Sequence, residues 1–210
     1  MEGGYRTLKA PGSDSFIEKK SRFIGQASPA RTEQEALGFL AAVRERHRDA
    51  AHNCFAYIIG RNAGIMRYSD DGEPGGTAGM PILEVMRARG VVDGCVVVTR
   101  YFGGVLLGAG GLARAYAQGA KIAVDAAKVI VMEDSVRFWL GVDYPLFGRV
   151  EHYLQSAPVI KEGVEFGATV TATLVVRQRD KDAVFGDLVR LTDGRAELMM
   201  VEEMSLGWEG

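Results

Sequence analysis

No apolar run in the chain approaches the ~18 residues that a membrane-crossing helix needs, so a bilayer partner is not expected. The first residues, MEGGYRTLKAPGSDS, lack the apolar core of a secretory signal. There are only two cysteines, Cys54 and Cys95, each inside an apolar, strand-like run (CFAYII and CVVV). Such thiols read as buried and reduced, and nothing points to the oxidising compartments where disulfides persist. A cytoplasmic protein is expected by elimination. No excess of one charge is present either. The formal net charge is −2, so no whole-chain field draws the protein onto nucleic acid, and DNA is not an expected partner. No Cys/His spacing suggests zinc, no metal or cofactor is expected, and no nucleophile elbow can be read.

What is present is an ordinary globular balance: 210 residues, 47% apolar and 25% charged. That length accommodates two small domains. Residues 1–135 carry 17 Lys+Arg against 15 Asp+Glu, and residues 136–210 carry 8 against 12. A local basic patch is therefore possible only on the first part.

The pattern predicts mixed α+β structure. Phe16 to Gly25 reads as one strand with a basic middle, Lys19, Lys20 and Arg22. Thr32 and Glu35 form a capping box ahead of apolar positions at helical spacing, Ala36, Leu37, Leu40 and Val43. Asn53 to Ile59 and Ile65 to Tyr68 read as strands. Pro81 suits the first turn of a helix, Val91 to Tyr101 reads as a central strand, and Leu112 to Ala127 as a helix. A linker is expected near Met132 to Ser135, dividing the chain into domains 1–134 and 135–210. Beyond it the order is β-α-β-β-α-β, the ferredoxin-like pattern, with Asp180 capping its second helix.

Glycine is concentrated: 13 of the 27 lie between residues 60 and 111. Two clusters stand out, and the functional surface is placed between about residues 52 and 114. SDDGEPGGTAGMP, residues 69–81, brings Asp70, Asp71 and Glu73 beside Ser69 and Thr77. The carboxylates suit either a hard cation such as Mg²⁺ or helix caps and Arg partners. The run to Gly79 exposes backbone N–H groups ahead of a helix, where an anion can dock. The second cluster has Arg100, Gly103 and Gly104, then Gly108, Gly110 and Gly111, ahead of a helix that carries Arg114. Strand, glycine turn and helix is an arrangement that cradles phosphate, although neither a Walker A lysine nor a G-x-G-x-x-G spacing is present. The other reading is that these glycines permit tight turns and close packing. His52 is the one histidine placed to act as ligand or catalyst, with Asp70, Asp71 and Glu73 as the other catalytic candidates; His47 and His152 read as surface residues. Tyr57, Tyr101 and Phe102 can stack on bases or belong to the core.

SDDGEPGGTAG at 69–79 and VVVTRYFGGVLLGAGGLARAY at 96–116 resemble the signature of the bacterial YigZ proteins and eukaryotic IMPACT. KKSRFIG at 19–25 and AHNCFAYIIG at 51–60 fit the same family. Gly76 and Met80 depart from it, the latter where a basic residue is frequent. The resemblance implies a β/α sandwich in the first domain, like the second domain of the small-subunit ribosomal protein number five. It implies a ferredoxin-like second domain similar to the last domain of elongation factor G. It also implies a link to translation, because eukaryotic IMPACT restrains a starvation-activated initiation kinase; for a bacterial-type chain only the looser link carries over.

Three functions follow as expectations. The first is a regulator that meets RNA, the ribosome or a translation-associated protein through an anion-binding glycine-rich face. The second is a metal-assisted hydrolase or phosphoryl-handling enzyme using Asp70, Asp71, Glu73 and His52. The third is a protein-only adaptor. For RNA, Lys19, Lys20, Arg22 and Arg114 are the expected phosphate contacts, with Lys20 and Arg22 on one side of their strand. Three or four contacts imply a log–log salt slope of about −2 to −3. Arg100, at the end of a buried strand, is expected to pair with Asp70 or Asp71.

Overall fold

The computed structural model describes residues 4–208; residues 1–3, part of the stretch read for a signal peptide, lie outside them. Contacts divide the chain into two compact units, chiefly Tyr5–Val131 and Met132–Gly207. The elements of the first are β1 (Tyr5–Leu8), β2 (Gly12–Glu18), β3 (Ser21–Pro29), α1 (Glu33–Arg46), β4 (His52–Ile59), β5 (Ile65–Ser69), α2 (Gly79–Ala88), β6 (Gly94–Tyr101) and α3 (Ala109–Ala127). Next come β7 (Val129–Val142), α4 (Tyr144–Leu154), β8 (Val159–Phe166), β9 (Val170–Arg177), α5 (Lys181–Leu191) and β10 (Glu197–Trp208). No helix among the described residues is long and apolar enough to cross a membrane.

The first domain is built on a sheet in the order β2-β3-β6-β4-β5, with each neighbouring pair antiparallel. Side chains alternate across its strands. Phe23, Ala27, Cys54, Ala56, Ile58, Val96 and Val98 pack against α2 and α3, while Tyr57, Ile59, Cys95 and Val97 pack against α1. The sheet is thus covered on both faces, and the strands read as apolar runs for that reason. Helix α3 lies very close to β3: a Cβ on Gly25 would stand 2.0 Å from the Gly119 carbonyl oxygen. Both cysteines are buried and free.

The capping box at α1 forms with a shifted return bond. Thr32 Oγ1 accepts from Glu35 N–H at 3.2 Å, but Glu35 Oε2 accepts from Arg31 N–H, one residue earlier than expected. The single strand expected over Phe16 to Gly25 is instead a hairpin. Lys19 (φ 44°) and Lys20 (φ 67°) take left-handed conformations, and β2 folds back on β3 through Glu18↔Ser21. No glycine marks this turn, so its composition concealed it. Central strand β6 begins at Gly94 rather than Val91, because Asp93 (φ 51°) makes the turn. Helix α3 begins three residues before Leu112, on the glycines themselves.

In the second unit β7 lies between β9 and β10, with β8 beyond β9, which is the ferredoxin-like order for β-α-β-β-α-β. Phe138, Leu140, Leu174 and Val176 meet Val150 of α4 and Val184 and Leu188 of α5. The protein is thus a two-domain α+β protein. The linker expected at Met132 to Ser135 is absent. Those residues are the interior of the 14-residue β7, whose β-branched neighbours Val129, Ile130, Val131 and Val136 favour extended chain. Asp180 stands at the N-cap of α5 without a side-chain cap bond, its backbone being αR.

Candidate functional site

Strand alternation puts His52, Cys54 and Arg100 on the sheet face that carries α2 and α3, since His52 pairs with Arg100 across β4 and β6. The loop after β5 crosses the end of these strands. There the three acidic residues part company. Asp70 turns inward to its own loop and accepts from the backbone N–H groups of Gly76 (2.9 Å), Ala78 (3.0 Å) and Gly79 (2.8 Å). Burial opposes its ionisation, yet these backbone bonds hold its carboxyl below the ordinary value. Asp71 (φ 43°) accepts from Asn53 N–H at 2.7 Å and from Arg44 at 2.8 Å. Glu73 goes to the interior, where Oε1 accepts from Arg100 Nη1 and from the Tyr116 hydroxyl, both at 2.7 Å.

Of the two readings open to these carboxylates, helix caps and Arg partners describe the contacts they make. Each is turned to a different partner, and no group of His, Cys, Asp or Glu among the described residues is arranged to hold a metal. The first glycine run offers no open anion site either, because Asp70 already fills it. Ser69 and Thr77 serve the loop: Ser69 Oγ accepts from Asp71 N–H, and Thr77 donates to the Pro74 carbonyl at 2.6 Å. Gly79 is required by close approach, since a Cβ there would lie 2.7 Å from the Ser69 backbone.

Arg100 is paired as a buried strand end demands, but with Glu73 in place of Asp70 or Asp71. Its side chain is 6% exposed and that of Glu73 4%. Asp70 and Asp71 are taken instead by backbone N–H groups and by Arg44. Arg100 Nη2 reaches Ser21 Oγ at 3.4 Å, while its Nε has no acceptor among the described residues. His52 Nδ1 lies 2.8 Å from the Asp71 carbonyl oxygen. A carbonyl only accepts, so Nδ1 carries the proton and Nε2 is left facing Glu73 Oε1 at 3.8 Å. Burial pushes the Tyr116 hydroxyl far up and Cys54 to about 12, so neither group ionises near neutrality.

Beside this network lies a cavity of about 420 Å³ whose lining includes His52, Glu73, Arg100, Phe102, Leu107 and Ala109. Pro74, Leu106, Gly108 and Leu112 also line it. Acidic loop and second glycine cluster therefore meet here. Gly103 packs so tightly on the β2–β3 turn that a Cβ would stand 2.0 Å from the Lys20 carbonyl oxygen, and its N–H donates to Ser21 Oγ. Gly104 (φ 81°) and Gly108 (φ 73°) need left-handed backbone. Gly108 is the N-cap of α3 and no side chain caps it. Gly110 is exposed, and Gly111 lies against Leu107.

Arg114 does not join them. It is exposed and lines a separate depression between α2 and α3 with Arg89 and Lys121. Arg22 is also separated: it pairs with Tyr101, on the opposite sheet face from Arg100. There, with Arg46, it helps burial hold the His47 imidazole below its usual value. His47, expected at the surface, is half-buried and lies 3.0 Å from the Tyr101 hydroxyl. Tyr57 belongs to the core, whereas Phe102 is 51% exposed. Sequence reasoning missed Tyr116, Ser21, Pro74, Leu106 and Leu107. Only the apolar break VLL between two glycine pairs signalled the last two.

Residues 19–124 match the family model described as the Impact N-terminal domain, and residues 140–195 match a domain of unknown function, DUF1949. The chain is 37% identical to the IMPACT family member YvyE of Bacillus subtilis, over 94% of this chain and 91% of that protein. It is 45% identical to the IMPACT family member YigZ of Escherichia coli over 48% of this chain and 50% of the relative. With Protein IMPACT of Bos taurus it shares 33% identity over 44% of this chain and 30% of the relative. A crystal structure titled as that of a hypothetical protein superposes with a TM-score of 0.61 at 29% identity, covering 96% of this chain and 99% of that one.

Proposed function

The chain belongs to the IMPACT family, and from that premise we propose that it is a translation-associated RNA-binding protein of the cytoplasm. Its first domain meets single-stranded RNA through the surface formed by the Lys19–Lys20 turn, the Phe102–Leu106 loop and the start of α3. The observation that carries this reading is the contact of Gly103 with the Lys20 carbonyl, which joins two exposed lysines to the glycine loop as one surface. Phe102 is 51% exposed and Leu106 81%. A half-exposed aromatic ring next to cations is what base stacking and backbone neutralisation require together. The hydrolase reading loses its support, because Asp70, Asp71 and Glu73 are all committed to the fold.

With Arg22 and Arg114 placed elsewhere, two lysine contacts replace the three or four expected. The log–log salt slope for single-stranded RNA is then about −1 to −2, and binding is weak. An anisotropy titration of the full chain with a short single-stranded RNA across a salt series tests this. Absence of binding at low salt overturns the reading and leaves Phe102, Val105 and Leu106 as a patch for a protein partner.

A further inference from the structure

Arg114 stands apart from the glycine-loop surface and lines a depression of about 310 Å³ between α2 and α3. Its walls are two stripes of helix. On α3, Arg114, Ala117, Gln118 and Lys121 recur at i, i+3, i+4 and i+7; on α2, Val85, Ala88 and the C-cap Arg89 recur at i, i+3 and i+4. That spacing keeps each set on one helix face. Ala88, Arg114, Gln118 and Lys121 are exposed, whereas Val85, Arg89 and Ala117 are half-buried. The result is a groove with an apolar floor, Val85, Ala88 and Ala117, and cations on both sides. Its walls are anchored from beneath, because Val85 packs against the buried cluster that holds Ile82, Met86, Ala120 and Ala123.

Positive charge exceeds negative along this groove. Arg89 Nη2 is bonded to Asp125 Oδ1 at 2.8 Å, and Glu84, also on α2, is bonded to Arg87 at 2.9 Å. Arg6, on β1, brings its guanidinium to the Arg89 carbonyl. The carboxylates of both helices are thus engaged, and Arg114 and Lys121 have no acidic partner among the described residues. An occupant of this groove must cover apolar surface and supply negative charge at once.

We propose that the groove between α2 and α3 seats an acidic amphipathic helix of a protein partner. The site is separate from the RNA-binding surface, and the inference does not rest on that reading. An apolar stripe on such a helix fits the floor formed by Val85, Ala88 and Ala117, in the manner of helix-in-groove recognition. Its flanking carboxylates meet Arg114 and Lys121 on one side and the Arg89 end on the other. Arg114 and Lys121 are seven residues apart, or about 10.5 Å along the axis, and carboxylates seven residues apart on a helix running alongside have the same separation. A third helix laid along two others repeats the ridge-and-groove packing found within helical proteins. A nucleic-acid strand fits less well. None of the residues that line the groove is aromatic, so bases have no ring to stack on, and a phosphate backbone has no apolar face for the floor.

The test titrates the full chain with two synthetic, end-capped peptides of about 18 residues, long enough to form a helix alone. One has leucines at i, i+4 and i+7 flanked by glutamates; the other has the same composition with the apolar stripe scrambled. A short single-stranded RNA is titrated in parallel. The variants are the double charge reversal Arg114→Glu with Lys121→Glu and, separately, Ala88→Gln, which covers the floor without changing charge. All three positions are exposed, and melting temperatures are expected to match the parent. The ordered peptide is expected to bind more tightly than the scrambled one. The double reversal is expected to weaken it about tenfold, as two exposed ion pairs become repulsions, and Ala88→Gln to weaken it severalfold, while RNA binding is unchanged by either. Absence of peptide binding overturns the proposal. Equal binding of the two peptides overturns it too, because charge alone is then enough. Peptide affinity unaltered in either variant overturns the placement in this groove. Loss of RNA binding in the double reversal overturns the protein partner and assigns the groove to nucleic acid. Failure of the parent to bind RNA, with the peptide results as expected, removes the RNA reading and leaves the groove standing.

Discussion

Two glycine-rich turns in the first domain each lead into a helix, and the chain treats them in opposite ways. Before α2, Asp70 accepts from Gly76, Ala78 and Gly79, so the helix start is satisfied from within. Before α3 no side chain among the described residues caps the start, and the turn instead exposes Phe102, Val105 and Leu106. Similar composition therefore yields a closed turn in one case and an open surface in the other. A glycine-rich helix start becomes a candidate site only when the chain's own carboxylates are engaged elsewhere.

The sharpest way to break this comparison is at the bond that ties the first turn to the strand before the second. Arg100→Ala leaves the 4%-exposed Glu73 without its cation and is expected to cost ~3–5 kcal/mol. Arg114→Ala, at an exposed position, changes stability by less than about 0.5 kcal/mol. Denaturant unfolding of both variants checks this, and similar midpoints refute the buried-pair account. Next in size is Asp70→Ala, expected to cost about 1–2 kcal/mol, as the loss of a helix cap does.

That difference carries a pH signature. Asp70 has its carboxyl held low in the folded state, so its stabilisation is complete above the unfolded value of about 3.9. It is lost as pH falls through the lower folded value. Stability curves of the parent and of Asp70→Asn are expected to stay apart at neutral pH and converge in strong acid; a constant gap down to the acid transition contradicts the assignment.

At the second turn the sign reverses. Gly110→Asp puts a carboxylate at an open helix start and replaces an exposed helical glycine whose Cβ meets only Arg114 Nη1 at 3.6 Å. It is expected to raise stability by about 0.5–1 kcal/mol, read as a higher melting temperature. The smallest effect on stability belongs to Phe102→Ala, within about 0.5 kcal/mol. Yet it is expected to weaken single-stranded RNA binding by about 1–3 kcal/mol, the value of one stacked base. Unaltered RNA affinity in this variant removes Phe102 from the proposed surface.

Much of this was legible before folding. The capping Thr32, the β-branched core of β6 and the β-α-β-β-α-β order all rest on local periodicity, and they appear where expected. The Lys19–Lys20 turn was not legible, because it uses left-handed lysines where glycine or asparagine usually signals a hairpin. Nor was the continuity of β7 through Met132 to Ser135, whose polar residues resemble a linker although their neighbours pair as strand. Among the site residues, the acidic loop and the glycines were visible as clusters. Tyr116 and Ser21 were not, since each reaches the site from another element.

The sequence by itself determined which segments are helix, strand or glycine-rich turn, that the chain forms two α+β domains, and which family it belongs to, because propensity, periodicity and motif are properties of neighbouring residues. Only the tertiary structure decided that Asp70 closes α2, that Glu73 takes Arg100, that Arg114 and Arg22 face elsewhere, and that the start of α3 stays open. Those outcomes depend on which donor lies within hydrogen-bond reach of each carboxylate, and that distance is set by the packing of β4, β6 and α3 across the sheet.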